Sequence, residues 1–184
     1  MDRIVTERLI LRRAREDDLE AMHAVLSSPQ ATRYWSTPPH ETLEETRAWL
    51  ASMIASAPGQ REDFVVEHQG RVIGKAGCYQ LPEIGYILHP DSWGQGLATE
   101  ALAAVIPHIF AHHPIPALTA DVDPRNKTSV RLLERLGFRV SGRAERTWHV
   151  AGEWCDSVYY SLPRDAGVRP ANGASARSPH PQDR

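Results

Sequence analysis

The segment EIGYILHPDSWGQGLATEAL, Glu83 to Leu102, narrows the possible folds more than any other part of the chain. A strand-like run passes through a turn holding Gly94 and Gly96 and enters a helical pattern, GQGLATEALAAVIPHIFAHH, with no linker between them. At the start of a helix the first amides lack intrahelical acceptors and the macrodipole is positive. Gly94, Gln95, Gly96, Leu97, Ala98 and Thr99 can therefore turn amides toward a pyrophosphate, and the small residues Gly96 and Ala98 leave the approach open. The same glycines would serve an ordinary strand-to-helix turn. Two other phosphate loops are set aside: a dinucleotide fingerprint needs a third glycine where Thr99 stands, and a P-loop needs Gly-Lys-Ser/Thr. Pro107 is expected to end or kink the helix.

Patterns on either side build a mixed sheet around this junction. RLILRRA (Arg8 to Ala14) alternates like a half-buried strand and leads into EDDLEAMHAVLSS, where Leu19, Met22 and Leu26 recur at helical spacing. Thr42 and Glu45 fit a capping box ahead of a second helix, whose inner face is Leu43, Thr46, Trp49, Leu50 and Met53. DFVVEHQ and RVIGKAGCYQL, joined at Gln69-Gly70, form an antiparallel meander with EIGYILHP. The strand ALTADVD, the helix NKTSVRLLERLG closed by Gly137, and strands around FRVSG and CDSVYYSL complete the pattern. Six to seven strands among about four helices argue for an α/β (α+β) mixed sheet, and against a bundle or a sandwich.

The 184 residues suffice for one core, and 41% hydrophobic with 24% charged residues excludes a wholly disordered chain. Asp165 to Arg184 holds Pro170, Pro179, Pro181 and a single branched aliphatic, Val168, which cannot offset the entropy of ordering. Residues 1–164 are thus expected to be the folded domain and 165–184 a flexible tail. The formal charge is −2, or −3 without the tail, so no global field recruits nucleic acid, although a cationic ligand is mildly favoured. No apolar window approaches the roughly eighteen residues of a membrane span, and the start MDRIVTERLILRR places charges where a signal peptide is apolar. A cytoplasmic protein without membrane contact is expected. Cys78 and Cys155 form no C-x-x-C pair and read as two buried thiols. His108 and His112 have the spacing of metal ligands, but with no carboxylate between them they read as solvated histidines near a helix C-terminus, and no metal is expected. Oligomeric state is not legible.

The run Trp93-Gly94-Gln95-Gly96-Leu97-Ala98 resembles the acetyl-coenzyme A loop, Gln/Arg-x-x-Gly-x-Gly/Ala, of the GNAT acyltransferases, with Trp93 in the place of the basic or amide residue. The preceding Glu83-Ile-Gly-Tyr-Ile-Leu-His-Pro resembles more narrowly the branch containing the ribosomal-protein N-terminal acetyltransferases. Asn126-Lys-Thr-Ser129-Val-Arg-Leu-Leu133-Glu-Arg-Leu-Gly137-Phe138 is similar to the family's helix beside the pantetheine arm, and Arg139 to Tyr159 resembles the closing hairpin of that branch. The likeness runs from Thr6 to Leu162. It implies a twisted, mostly antiparallel sheet whose fourth and fifth strands, counted here as EIGYILH and ALTADVD, splay to admit the cofactor. It also implies acetyl-CoA as co-substrate, held by Trp93 to Thr99 with Ile87 and Leu88, with Asn126 on the pantetheine arm and Ser129 near sulfur. Asn126 would equally serve as a helix N-cap. Many members carry a Tyr that protonates the leaving thiolate where Leu133 stands here.

Direct transfer from a thioester to an amine needs a deprotonated nucleophile and a stabilised oxyanion. Glu83, on the strand face shared with Gly85 and Ile87, is the first candidate base, with His89 and His149 as weaker ones. The oxyanion donor would be a backbone amide near Ile87 or Leu88, where family members open the strand with a bulge. The segment RYWSTPP resembles the loop that walls the acceptor slot in these enzymes, which makes Tyr34 and Trp35 candidates to line that slot; as aromatics they would equally pack on the sheet. Cys155 is discounted as a nucleophile because the resemblance implies no acyl-enzyme. The acceptor could be a small amine, a polyamine, an antibiotic or a protein N-terminus. A competing reading is a non-catalytic coenzyme-A-binding module, motivated by Leu133 and Trp93.

Overall fold

The computed structural model describes residues 3–55, 59 and 61–166. Of the expected tail only Asp165 and Ala166 fall within it, in a short 3-10 turn from Arg164 to Ala166; the rest lies outside the described residues. The strands are β1 (Arg3–Val5), β2 (Leu9–Arg12), β3 (Glu62–His68), β4 (Arg71–Gln80), β5 (Glu83–Leu88), β6 (Ala117–Val122), β7 (Arg139–Val150) and β8 (Glu153–Pro163). The helices are α1 (Leu19–Leu26), α2 (Leu43–Ile54), α3 (Leu97–His112) and α4 (Lys127–Arg135). The strands form one sheet in the order β1-β2-β3-β4-β5-β6-β8-β7, antiparallel throughout except for the parallel pair β5–β6. The expected count of six to seven rises to eight because the three residues of β1 are too few to show a period. The splay therefore falls between the fifth and sixth strands.

That splay rests on very little pairing. β5 and β6 are in register only at Glu83 opposite Thr119, with the Thr119 amide donating to Pro82 O at 3.0 Å. Toward their carboxyl ends the two strands part, which is where open α/β sheets hold ligands. The bulge expected at Ile87 or Leu88 is not there: β4 and β5 pair regularly from Gly74 with Leu88 to Cys78 with Ile84, and the irregularity lies between Cys78 and Gln80.

Strand alternation sorts the core into two layers. Ile84 and Leu88 of β5 and Leu118, Ala120 and Val122 of β6 pack beneath α3 and α4, against Leu97, Leu102, Val105, Ile106, Ile109 and Leu133. Val65 and Ile87 face the other way, beneath Leu19, Met22, Leu26, Leu50 and Met53 of α1 and α2. The α2 capping box is formed: Glu45 N donates to Thr42 Oγ1 at 3.2 Å, and Thr42 N donates to Glu45 Oε2 at 3.4 Å. Of the two outcomes expected at Pro107, an end or a kink, the end does not occur: α3 runs on to His112. Pro in a helix interior costs roughly 3 kcal/mol, less than the burial of Leu102, Val105, Ile106 and Ile109 at about 1.5–3 kcal/mol each. Among the described residues no helix is long and apolar enough to cross a membrane.

His108 is not solvated as expected. It packs edge-on against Phe64, and its Nε2 lies 3.6 Å from Glu62 Oε2. Glu62 also accepts from Arg13 Nη2 at 2.8 Å and pairs with His113 Nε2 at 3.0 Å. Burial opposes ionisation of Glu62, but the His113 hydrogen bond and Arg13 outweigh it and hold the carboxyl below its usual range. The unfolded chain thus takes up the proton first, so this stabilisation is complete above about pH 4.5 and is lost as the pH falls through the lower folded value. Glu62→Gln should cost about 1–3 kcal/mol at neutral pH and flatten the fall of melting temperature below pH 5. Melts across pH 3–7 measure both effects; an acid limb as steep as in the unsubstituted protein would show that Glu62 does not carry it.

Candidate active site

The opening between β5 and β6 is the throat of one cavity of about 1240 Å³, which reaches from the α3 N-terminus to the segment between α1 and α2. Its wall brings together Tyr34, Trp35, Glu83, Ile87, Leu88, Trp93, Gly94, Gly96, Leu97, Ala98, Thr99, Asn126 and Ser129. Of the residues nominated from sequence, Gln95 is outside it: its carbonyl accepts from Arg8 Nη1 at 2.9 Å, and its Nε2 donates to Asp91 O at 3.1 Å. His89 and His149 are outside as well; His149 packs on Trp154 with ring centroids 5.0 Å apart.

At the α3 end, Gly94 (φ +73°) and Gly96 (φ +77°) both sit in left-handed backbone that side chains disfavour. Gly96 is the N-cap and supplies no side chain, so the first helical amides keep no side-chain partner at a point where Leu97, Ala98 and Thr99 wall the cavity. A Cβ built on Gly94 meets nothing within 4 Å. Such a bare, positively polarised turn fits a pyrophosphate. Trp93, in place of the family's basic or amide residue, folds back so that its indole N–H donates to Leu88 O at 2.9 Å, tying the loop to the end of β5. A clamp that sequence patterns do not show holds the loop from behind. Thr6 Oγ1 donates to Glu100 Oε1 at 2.6 Å, and Arg8 Nε bonds Glu100 Oε2 at 2.7 Å while reaching Gln95 O.

Beyond the throat the wall is acidic and aromatic. Glu83 is half-buried at the start of β5 and accepts from Tyr79 Oη at 3.4 Å. Its pKa is raised by burial first and by the neighbouring Asp121 second, against the Tyr79 bond, which moves it toward the value a base needs near neutrality. Asp121 accepts from Trp148 Nε1 at 2.9 Å. Across the same face, Lys75 and Asp63 form a fully buried pair at 2.9 and 3.1 Å, with the ammonium 5.7 Å from the Trp35 ring centroid. Arg125 ties the β6–α4 loop to the β7–β8 hairpin through Asp123 (2.6 Å) and Glu153 (2.6 Å). Its Nη2 also donates to Sγ of Cys155, which is only half-buried where a buried thiol is expected. Sequence reasoning missed Lys75, although a lone cation in the apolar run VIGKAG was a usable signal.

At the N-terminus of α4, Asn126 Oδ1 accepts from Ser129 N at 3.1 Å, so the N-cap role is filled and the Nδ2 donors remain. Ser129 Oγ accepts from Tyr86 Oη at 3.0 Å, a contact between α4 and β5. Leu133 is fully buried and has no proton to give.

Comparisons with known proteins agree with this geometry. Residues 8–139 match the family model described as an acetyltransferase (GNAT) domain. The uncharacterized N-acetyltransferase p20 of Bacillus licheniformis is 29% identical over 171 residues, covering 88% of this chain and 96% of the relative. The spermidine N(1)-acetyltransferase of Escherichia coli (strain K12) is 27% identical over 157 residues, covering 80% and 82%. Among solved structures, RimL, a ribosomal L7/L12 alpha-N-protein acetyltransferase in complex with coenzyme A, shares the fold at a TM-score of 0.79 and 22% identity, over 89% of this chain and 98% of that one.

Proposed function

Because the chain belongs to the GNAT acetyltransferase family, whose co-substrate is acetyl-CoA, we propose that it is an N-acetyltransferase that moves the acetyl group to a primary amine by direct attack in a ternary complex. The observation that carries this reading is the single cavity running from the bare α3 N-terminus, through the β5–β6 opening, to Glu83. Acetyl-CoA supplies an activated carbonyl and a thiolate leaving group. The amides from Gly94 to Thr99 hold the pyrophosphate, with Trp93 bracing the loop. Asn126, Ile87 and Leu88 flank the pantetheine arm, and Ser129 stands by the sulfur. Glu83 takes the proton of the attacking amine and passes it to solvent. A backbone amide on the edge of β5 freed by the splay donates to the oxyanion.

Tyr34 and Trp35 wall the acceptor side. Glu83 and Asp121, set among Tyr79 and Trp148, favour an amine that arrives as a cation. The named relatives act on spermidine and on a ribosomal protein N-terminus, and both chemistries suit such a slot.

Thermal unfolding with acetyl-CoA, CoA and NAD tests the co-substrate. At about a hundred times the dissociation constant the gain is roughly 2.7 kcal/mol, or about 5–10 °C, expected for both CoA species and absent for NAD. CoA release with an amine panel tests the transfer; binding without release from any amine would leave a coenzyme-A-binding module. Glu83→Gln should lower kcat about 100-fold with CoA affinity unchanged, and should erase the rise of rate with pH that titration of the base produces. A full-length rise retained in that variant removes Glu83 as the base.

A further inference from the structure

We propose that Tyr86 is a positioning residue for the leaving sulfur: its hydroxyl, bonded to Ser129 Oγ, aims the serine proton at the CoA thiolate. This rests on the acetyl-CoA reading above. Tyr86 lies on the β5 face that carries Ile84 and Leu88, Ser129 lies in the first turn of α4, and their hydroxyls meet at 3.0 Å in the cavity wall. A serine hydroxyl has one proton and two lone pairs. The phenol occupies one lone pair, and among the described residues no acceptor takes the serine proton. Burial pushes the Tyr86 phenol up, so it stays protonated and donates at every working pH. A donor fed by a second donor is polarised and binds an anion more strongly. This replaces the missing acid at Leu133 with a hydrogen bond that consumes no proton. As the amine forms the C–N bond, the C–S bond breaks with its pair on sulfur, and Ser129 Oγ–H stabilises that anion. The sulfur takes its proton from water on leaving, while the amine's proton goes through Glu83 to solvent.

Affinities of the full-length protein for CoA and desulfo-CoA, measured by calorimetry between pH 7 and 10, test the link without any acceptor. In the unsubstituted protein the ratio of CoA to desulfo-CoA affinity should rise about ten-fold, the equivalent of lowering the bound thiol's pKa by about one unit. Tyr86→Phe keeps the ring and should flatten that rise while leaving desulfo-CoA affinity unchanged; Ser129→Ala tests the same link from its other end and should do likewise. A full rise in Tyr86→Phe overturns the proposal. So does a flat ratio in the unsubstituted protein. Binding of neither ligand would instead overturn the acetyl-CoA reading and this inference with it.

Discussion

Gly96→Trp should lower CoA affinity by on the order of 100-fold or more, with the fold retained. Gly96 caps α3 at φ +77°, and among the described residues no side chain caps the amides that follow. A Cβ there points at Arg8 Nη2, 3.7 Å away, so an indole crowds the clamp behind the loop and displaces those amides, and the left-handed backbone adds roughly 1–2 kcal/mol of strain. Gly94→Ala separates the two effects. Its φ is +73°, yet an added Cβ meets nothing within 4 Å, so it brings strain without obstruction and should bind CoA nearly as well as the unsubstituted protein. Calorimetric titration of CoA into both variants decides the matter. Affinity preserved in Gly96→Trp would mean that the glycine turn is structural and that the pyrophosphate lies elsewhere.

Lys75→Met should be the most destabilising single change among those considered. Lys75 is 1% exposed and Asp63 is 5% exposed, and each is the other's only charged side-chain partner at hydrogen-bond distance among the described residues. Removing the cation leaves a buried carboxylate unpaired, at a cost of about 3–5 kcal/mol, or roughly 6–20 °C in melting temperature for a domain of this size. Lys75→Met combined with Asp63→Leu should recover much of the loss, because the desolvation penalty disappears with the charge. If the single variant melted with the unsubstituted protein, the pair would contribute no net stability. The effect reaches the cavity, since Lys75 Nζ lies 5.7 Å from the ring of Trp35 in its wall; on the proposed acceptor role of Trp35, partial unfolding there should raise the acceptor KM before it alters CoA affinity.

The readable features were local ones. The capping box of Thr42 and Glu45, the glycine turn at Gly94 and Gly96 and the cap at Asn126 depend on residues two or three apart, so their geometry follows from short-range backbone constraints. The failures have equally definite reasons. A helix end at Pro107, one of the two outcomes its intrinsic cost allows, is overridden by four buried aliphatics, which count only once the sheet beneath exists. His108 reads as a terminal solvated histidine because Glu62 and Phe64, which it packs against, lie far away in the chain. The strand β1 escaped notice since three residues cannot show a period, and that moved the splay by one strand number.

By itself the sequence determined the strand-to-helix junction, the alternation that puts Glu83 on one face of β5 and Tyr86 on the other, and the membership that those motifs carry. Only the tertiary structure decided the partners. Asp63 meets Lys75 through the β3–β4 register, which sets them diagonally on one face. Tyr86 meets Ser129, forty-three positions away, because α4 packs over the gap that β5 and β6 leave. Side chains distant in the chain are brought together by register and packing, which arise from the sum of many weak contacts and leave no signature at any one position.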